Sequence, residues 1–280
     1  MWICFVVIYL IFAVLFTQNY KIVLKTSEGK GAITILLQIL SGIIALLFCP
    51  LFATKFPNDP SIYMYLGISL VFYAISDRLN TTIRKGIEAS TFSIIKQLTT
   101  VFMILAGLIF LKEPFVLKKI IGATLIIFSN LLVFYNPKGI TFNKYIILAM
   151  ISNLISASAL FIGVSFSDNF NIAIYAALTV IVPAFLIFVF ERVRLSSIKK
   201  EWTSGNKKAI VLTCVGWGVM LVAQLCAYQL GQVTQVAPLS ALTVILNVIV
   251  GYLFLKEKNN LLKKIIAAGL IIISIFLIKG

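Results

Sequence analysis

Phe110-Leu111-Lys112-Glu113 returns as Phe254-Leu255-Lys256-Glu257, 144 positions on, and Lys118-Lys119-Ile120-Ile121 returns as Lys263-Lys264-Ile265-Ile266, 145 positions on. Each copy closes one apolar run and opens the next. Two landmarks recurring at nearly one offset in 280 residues read as a duplication, with halves 1–138 and 139–280. With 61% hydrophobic and 12% charged residues and a mean hydropathy of +1.07, the chain is not an ordinary soluble domain. A duplicated membrane chain of this size points first to secondary transport.

The net charge of +15 would suit a nucleic-acid ligand. The Lys and Arg residues, however, sit in short segments between apolar runs, which is where membrane proteins place them. No nucleic-acid partner is expected. Cys4, Cys49, Cys214 and Cys226 all lie inside apolar runs, and the chain has no His. Without metal-ligand spacing they read as small buried hydrophobes, and neither a metal nor a cofactor is expected. The N-terminus lacks the basic segment and small-residue cleavage site of a secretory signal, so its first run reads as a retained helix.

A membrane-spanning helix needs about 20 apolar residues, fewer where the bilayer thins. Ten runs qualify: 2–23, 32–52, 62–84, 90–111, 119–135, 145–166, 171–190, 209–230, 236–255 and 264–278. Five spans per half is an odd number, so the second half enters the membrane from the opposite side. The expected fold class is an all-α integral membrane protein of ten transmembrane helices, built as two inverted five-helix repeats. Pro183 falls inside span seven and should kink it. Glu191 to Lys208 reads as a loop. The segments around 21–30, 78–85, 138–144, 192–208 and 256–264 hold 18 of the 24 Lys and Arg residues. The positive-inside rule puts that side in the cytoplasm, with both termini outside a plasma or inner membrane.

An apolar run ending in Leu-Lys-Glu is followed by a short loop, basic residues and Ile121-Gly122-Ala123-Thr124-Leu125-Ile126-Ile127; Ala267-Ala268-Gly269-Leu270-Ile271-Ile272 is the second copy. This pattern resembles the drug/metabolite transporter (DMT) superfamily, and within it the EamA-like transporters. The resemblance covers the whole chain and implies a ten-helix, inverted-repeat carrier for small metabolites. Members usually look cytoplasmic at both termini, with a basic N-terminus and a Trp-Gly pair late in helix one. Here the chain begins Met1-Trp2-Ile3-Cys4-Phe5 and has Gln18-Asn19-Tyr20 in helix one, and its charge count gives the opposite orientation. Members differ in direction, so the resemblance is compatible with import and with export.

Polar side chains within lipid must face protein, water or one another. Span three carries Ser69, Tyr73, Ser76 and Asn80 at helical spacing, and span eight carries Thr213, Trp217, Gln224 and Tyr228. The 144-residue offset maps Ser69 onto Thr213, Tyr73 onto Trp217 and Asn80 onto Gln224. It also takes Lys96, Thr99 and Met103 of span four to Ser240, Thr243 and Asn247 of span nine. These recurring stripes place a central cavity among spans three, four, eight and nine. The expected substrate-binding set is Lys96, Tyr73, Asn80, Thr99, Trp217, Gln224, Tyr228, Ser240, Thr243 and Asn247. Asn153, beside Ser152 and Ser156 in span six, and Asn19 in span one complete it. For any one of these residues the plainer alternative is a helix–helix hydrogen bond of about 0.6–2 kcal/mol.

Lys96 lies about two turns into span four, roughly 9 Å at 1.5 Å per residue. It meets an anionic substrate group, pairs with Asp77 or Glu88, or snorkels to the interface. Asp77, the one carboxylate within reach of a span interior, is a proton-coupling candidate; otherwise it pairs with Arg78, Arg84 or Lys96. Glu113 and Glu257 fall on opposite membrane faces under the inverted repeat. They cannot form one catalytic pair and read as groups that order the turn and cap the helix that follows.

No Walker-type loop is visible, so ATP coupling within the chain is not expected. A lipid-modifying enzyme needs a clustered acid–base or metal set, and nine carboxylates spread mostly over loops do not supply one. A channel needs charge rings or a filter sequence. A non-transporting scaffold or receptor is the alternative from another class. The expectation is a monomeric secondary carrier in the lipid bilayer. It moves a small molecule, an amino acid or another small zwitterion or anion, by alternating access.

Overall fold

The computed structural model describes residues 2–28, 30–99, 101–102, 105, 117–136, 139–140, 144–230, 236, 239, 242–257 and 260–279. Over these residues run helices α1 (Trp2–Thr26), α2 (Gly31–Leu46), α3 (Pro60–Gly86), α4 (Ala89–Lys96), α5 (Leu117–Phe134) and α6 (Lys144–Phe166). They are followed by α7 (Ile172–Phe190), α8 (Leu195–Ser204), α9 (Lys207–Leu230), α10 (Thr243–Leu255) and α11 (Leu261–Lys279). Among the described residues, six stretches are long and apolar enough to cross a membrane: α1, Gly31–Leu51, α3, Lys144–Gly163 within α6, α7 and α9. Shorter apolar stretches are Ile120–Ser129 in α5 and the whole of α10. Met103, Glu113, Pro114, Pro238 and Ser240 lie outside the described residues.

Local signals set the helix ends. Asp59 caps α3 by accepting from Ser61 N at 2.9 Å, with Pro60 in the first turn. Asn171 caps α7 by accepting from Ala173 N (3.0 Å) and Ile174 N (3.1 Å), while its amide donates to Cys49 O and Phe52 O. α7 continues as one helix through Pro183.

The stretch expected as a loop from 191 to 208 contains α8. Leu195, Ile198 and Trp202 share one face at i, i+3, i+7 spacing. Ile198 and Val193 pack on a cluster of Ile35, Ala74, Ala184 and Ile187. Glu201 accepts from Ser27 Oγ at 3.0 Å, and Lys200 lies 3.7 Å from Glu28, tying α8 to the turn between α1 and α2. A hydrogen bond from Lys30 holds the exposed Glu28 carboxyl below its usual range. High overall polarity hides a short amphipathic helix unless its 3.6-residue period is counted first.

α1 packs along α9 and α3 along α6, while α2 lies on α7, α5 on α11 and α4 on α10. α10 also meets α1, and α4 meets α6. Two sets can be traced, α1 with α9 and α10 and α3 with α4 and α6, each drawing helices from both sequence halves, and the packing of α4 on α10 joins them. Glycine permits the tightest approaches: a Cβ on Gly216 would fall 2.7 Å from Phe16 N, and one on Gly218 2.6 Å from Ser41 O. Buried hydroxyls bond within their own helix, as Ser41 Oγ does to Leu37 O and Thr213 Oγ1 to Ala209 O, both at 2.7 Å. Large apolar side chains such as Phe185, Leu253 and Phe254 stay exposed on outer faces. That surface suits a hydrocarbon solvent.

The lysine-rich end is closed by charges matched to helix termini. Lys21 of α1 donates to Arg84 O (2.6 Å), Lys85 O (3.2 Å) and Ile87 O (2.5 Å), setting a cation on the C-terminal carbonyls of α3. Glu257 accepts from Ala89 N (2.8 Å), Ser90 N (3.1 Å) and Ser90 Oγ, setting an anion on the first turn of α4. It therefore caps α4, not the helix that follows it. Lys256 ends α10 in the left-handed conformation (φ 55°), and Glu257 N closes the turn onto Gly251 O. Lys264, buried to 2% exposure, pairs with Glu88.

Candidate functional site

Helices α1, α3, α4, α6, α7, α9 and α10 contribute to the wall of a cavity of about 210 Å³. From α3 come Tyr73, Asp77, Asn80 and Arg84, spaced three to four residues apart and so on one face. Lys96 closes α4, with Thr99 just beyond it, and α9 supplies Trp217, Gln224 and Tyr228. Thr243 and Asn247 enter from α10. Eight of the twelve residues that the 144-residue offset pairs, Tyr73, Asn80, Lys96, Thr99, Trp217, Gln224, Thr243 and Asn247, thus meet around one space. Ser69, Ser76 and Thr213, from the same stripes, are fully buried behind the wall and bond to carbonyls of their own helices.

Two expected members do not line the cavity. Asn19 donates to Leu15 O at 2.8 Å on its own helix. The face of α1 that meets the cavity carries Tyr9, Ala13, Phe16, Thr17 and Tyr20 instead. Asn153 is buried and donates to Ile95 O at 3.0 Å, fastening α6 to α4 one residue before Lys96. Its neighbour one turn on, Ser156, does line the wall. Ser240 is outside the described residues.

Lys96 is exposed into the cavity and forms no ion pair among the described residues. The expected pairing with Glu88 is displaced by Lys264. Asp77 accepts from Gln38 Nε2 at 2.9 Å. Its expected partner Arg78 points elsewhere, to Glu191 at 2.6 Å and Thr82 at 2.8 Å. Successive residues diverge by about 100° around a helix, so only Asp77 faces inward.

Several wall residues escape a reading of polar stripes. Phe16, Tyr20 and Trp217 form a tilted aromatic cluster, with Trp217 5.0 Å from Phe16 and 6.3 Å from Tyr20 between ring centroids. Tyr20 hydroxyl bonds to Thr81 Oγ1 at 2.6 Å. Gln18 Nε2 donates to Asn247 O (3.1 Å) and Oδ1 (2.9 Å), holding one end of the cavity together. Arg84 is the residue whose position departs most from expectation. Counted by sequence with the loop cations, it is 4% exposed inside α3. The signal that finds it is the continuation of the Tyr73–Asp77–Asn80 stripe by one more turn.

The description of the EamA-like transporter family matches residues 1–135 and 143–280. The chain belongs to that family, within the drug/metabolite transporter superfamily, and is accordingly a multi-pass membrane protein of the transporter class. No curated protein matches it. A solved structure described as "Crystal structure of protein" is similar in fold, with a TM-score of 0.61 over 96% of this chain and 95% of that chain at 10% identity.

Proposed function

We propose that the protein is a secondary carrier that moves a small charged metabolite, an amino acid or another small zwitterion or anion, through the cavity bounded by α3, α4, α9 and α10. The observation that carries this reading is the cavity itself. It gathers Lys96, Asp77, four amides and a cluster of aromatic rings at membrane depth, where polar groups are costly unless they serve a ligand or one another. Ten spans in two inverted repeats, 1–138 and 139–280, account for the paired packing of α1 on α9 and α3 on α6. They also account for the self-paired contacts of α2 with α7, α4 with α10 and α5 with α11. Asp77 is the coupling carboxylate in this scheme, alternately facing substrate and solvent. The lysine-rich end faces the cytoplasm of the cell membrane. One chain carries both repeats, so a monomer suffices.

The test is counterflow in vesicles containing only the purified protein. Vesicles preloaded with a candidate solute should take up its labelled form in a saturable way. Equal uptake by protein-free vesicles across amino acids and organic anions would sink the carrier reading.

A further inference from the structure

We propose that Arg84 forms an anion subsite at one end of the cavity, and that its ligand is a small organic acid of net negative charge. The inference deepens the carrier reading and rests on it for its purpose, though not for its chemistry. Arg84 is 4% exposed, and its guanidinium carbon lies 4.0 Å from the ring centre of Phe92, 4.9 Å from Phe16 and 5.2 Å from Tyr20. These ring faces attract a cation but are not themselves ordinary hydrogen-bond acceptors. Nε and Nη1 have no hydrogen-bond partner among the described residues. A guanidinium presents five donors in a planar fork, and buried donors left unmade are costly.

The nearby carboxylates are engaged elsewhere. Glu257 holds the first turn of α4, Glu88 holds Lys264, and Asp77 takes its hydrogen bond from Gln38. Asp77 also lies seven residues back along α3, roughly 10 Å away at 1.5 Å per residue. An acceptor that enters with the ligand would meet Nε and Nη1. The two oxygens of a carboxylate match the fork of Arg84.

Charge decides between kinds of acid. Arg84 and Lys96 bring two positive charges to the wall and Asp77 one negative, a balance of one positive charge. A zwitterion leaves that balance unchanged, an amine makes it worse, and a net anion relieves it. In a cavity of low dielectric the difference is large. The volume of about 210 Å³ lies below the usual drug-sized pocket of about 300–1,000 Å³, so the acid is small. Trp217 and Tyr228 offer rings to its body, and Asn80 and Gln224 offer amides.

The protein in lipid nanodiscs is titrated with benzoate, succinate, phenylalanine and phenethylamine, read by thermal midpoint and tryptophan emission. Wild type should bind at least one of the two acids about tenfold or more tightly than either amine-bearing compound. That binding should weaken at least tenfold in Arg84→Gln and recover in part in Arg84→Lys. If Arg84→Gln does not fold, the charge series in wild type decides alone. The proposal is overturned if neither acid binds wild type, if phenylalanine or phenethylamine binds as well as both acids, or if Arg84→Gln keeps wild-type affinity. The carrier reading has its own readout in vesicle flux. Acid binding that depends on Arg84 without flux would leave the subsite and remove the carrier. Flux of another solute, unchanged in Arg84→Gln, would do the reverse.

Discussion

Lys264 and Glu88 show how a single buried charge commits its neighbours. At 2% exposure the Lys264 ammonium has little water, and its partner among the described residues is the Glu88 carboxylate. Glu88→Gln should destabilise the protein by about 3–5 kcal/mol, the cost of an uncompensated buried charge, read as a drop in the thermal midpoint. The double variant Glu88→Gln/Lys264→Met should recover most of that loss; a double variant as unstable as the single one would show that the pair is not the cause. Glu257 makes a second case. Glu257→Ala leaves Ala89 N and Ser90 N at the start of α4 without acceptors, so a loss of about 3 kcal/mol is expected in the same assay. The cavity lining was legible where polar residues stood out from apolar ones: Lys96, Asp77, Asn80, Gln224 and Asn247 could be picked from their spacing. Arg84 was not, because a cation near the end of a span looks the same in sequence whether it faces water or packs against three rings. Phe16, Tyr20 and Phe92 were not either, since an aromatic wall and an aromatic core have one composition. Asn19 misled because its side chain satisfies itself on its own helix, a choice that spacing does not record.

Among the elements, the long apolar helices followed from hydropathy, since in lipid a helix must satisfy its own backbone. α8 did not, being short, polar on average and placed between two spans. Its apolar residues Leu195, Ile198 and Trp202 lie along one side, and Leu195 is exposed. With Ile198 turned onto the protein and Leu195 and Trp202 left at its edge, α8 is predicted to lie along the interface, Leu195 and Trp202 toward the acyl boundary. In nanodiscs, with Trp2 and Trp217 replaced by Phe, emission from Trp202 should be quenched by lipids brominated near the headgroup. Efficient quenching only by an aqueous quencher would place α8 in water. The junction of α1 and α9 makes a second demand at this scale. Gly216→Ala would put a methyl 2.7 Å from Phe16 N and 2.9 Å from its Cα, both backbone atoms that cannot swing aside. Forcing the helices apart should cost about 1–3 kcal/mol in thermal or denaturant unfolding. Gly269, with nothing within 4 Å of an added Cβ, should accept Ala with little change and serves as the control.

For the molecule as a whole, the grouping of helices bears on how access could alternate. The family match falls in two stretches, 1–135 and 143–280, but α1 packs along α9 and α3 along α6, so neither stretch is a body that could move alone. The sets α1–α9–α10 and α3–α4–α6 each have a bond of their own, Gln18 to Asn247 in one and Asn153 to Ile95 O in the other, and they meet along α4 and α10, whose Ile94, Ile95, Val244 and Val248 share one buried cluster. Between the groups, Lys21 to the α3 carbonyls, Tyr20 to Thr81 and Glu257 to Ser90 cluster at the lysine-rich end. Transport by rocking of these groups requires those bonds to break once per cycle. Lys21 and Lys85 lie on opposite sides of that seam, Lys21 Nζ standing 3.2 Å from Lys85 O, and Lys85 is exposed. With the native cysteines replaced, Lys21→Cys/Lys85→Cys joined by a short bis-methanethiosulfonate spacer should lose counterflow, and reduction of the link should restore it. The reduced protein is its own control for damage from the substitutions. Each single-cysteine variant under the same reagent should keep its flux, which separates locking from modification. Full flux in the linked protein would mean that the lysine-rich end stays shut throughout the cycle, and the moving seam would then have to lie elsewhere between the groups.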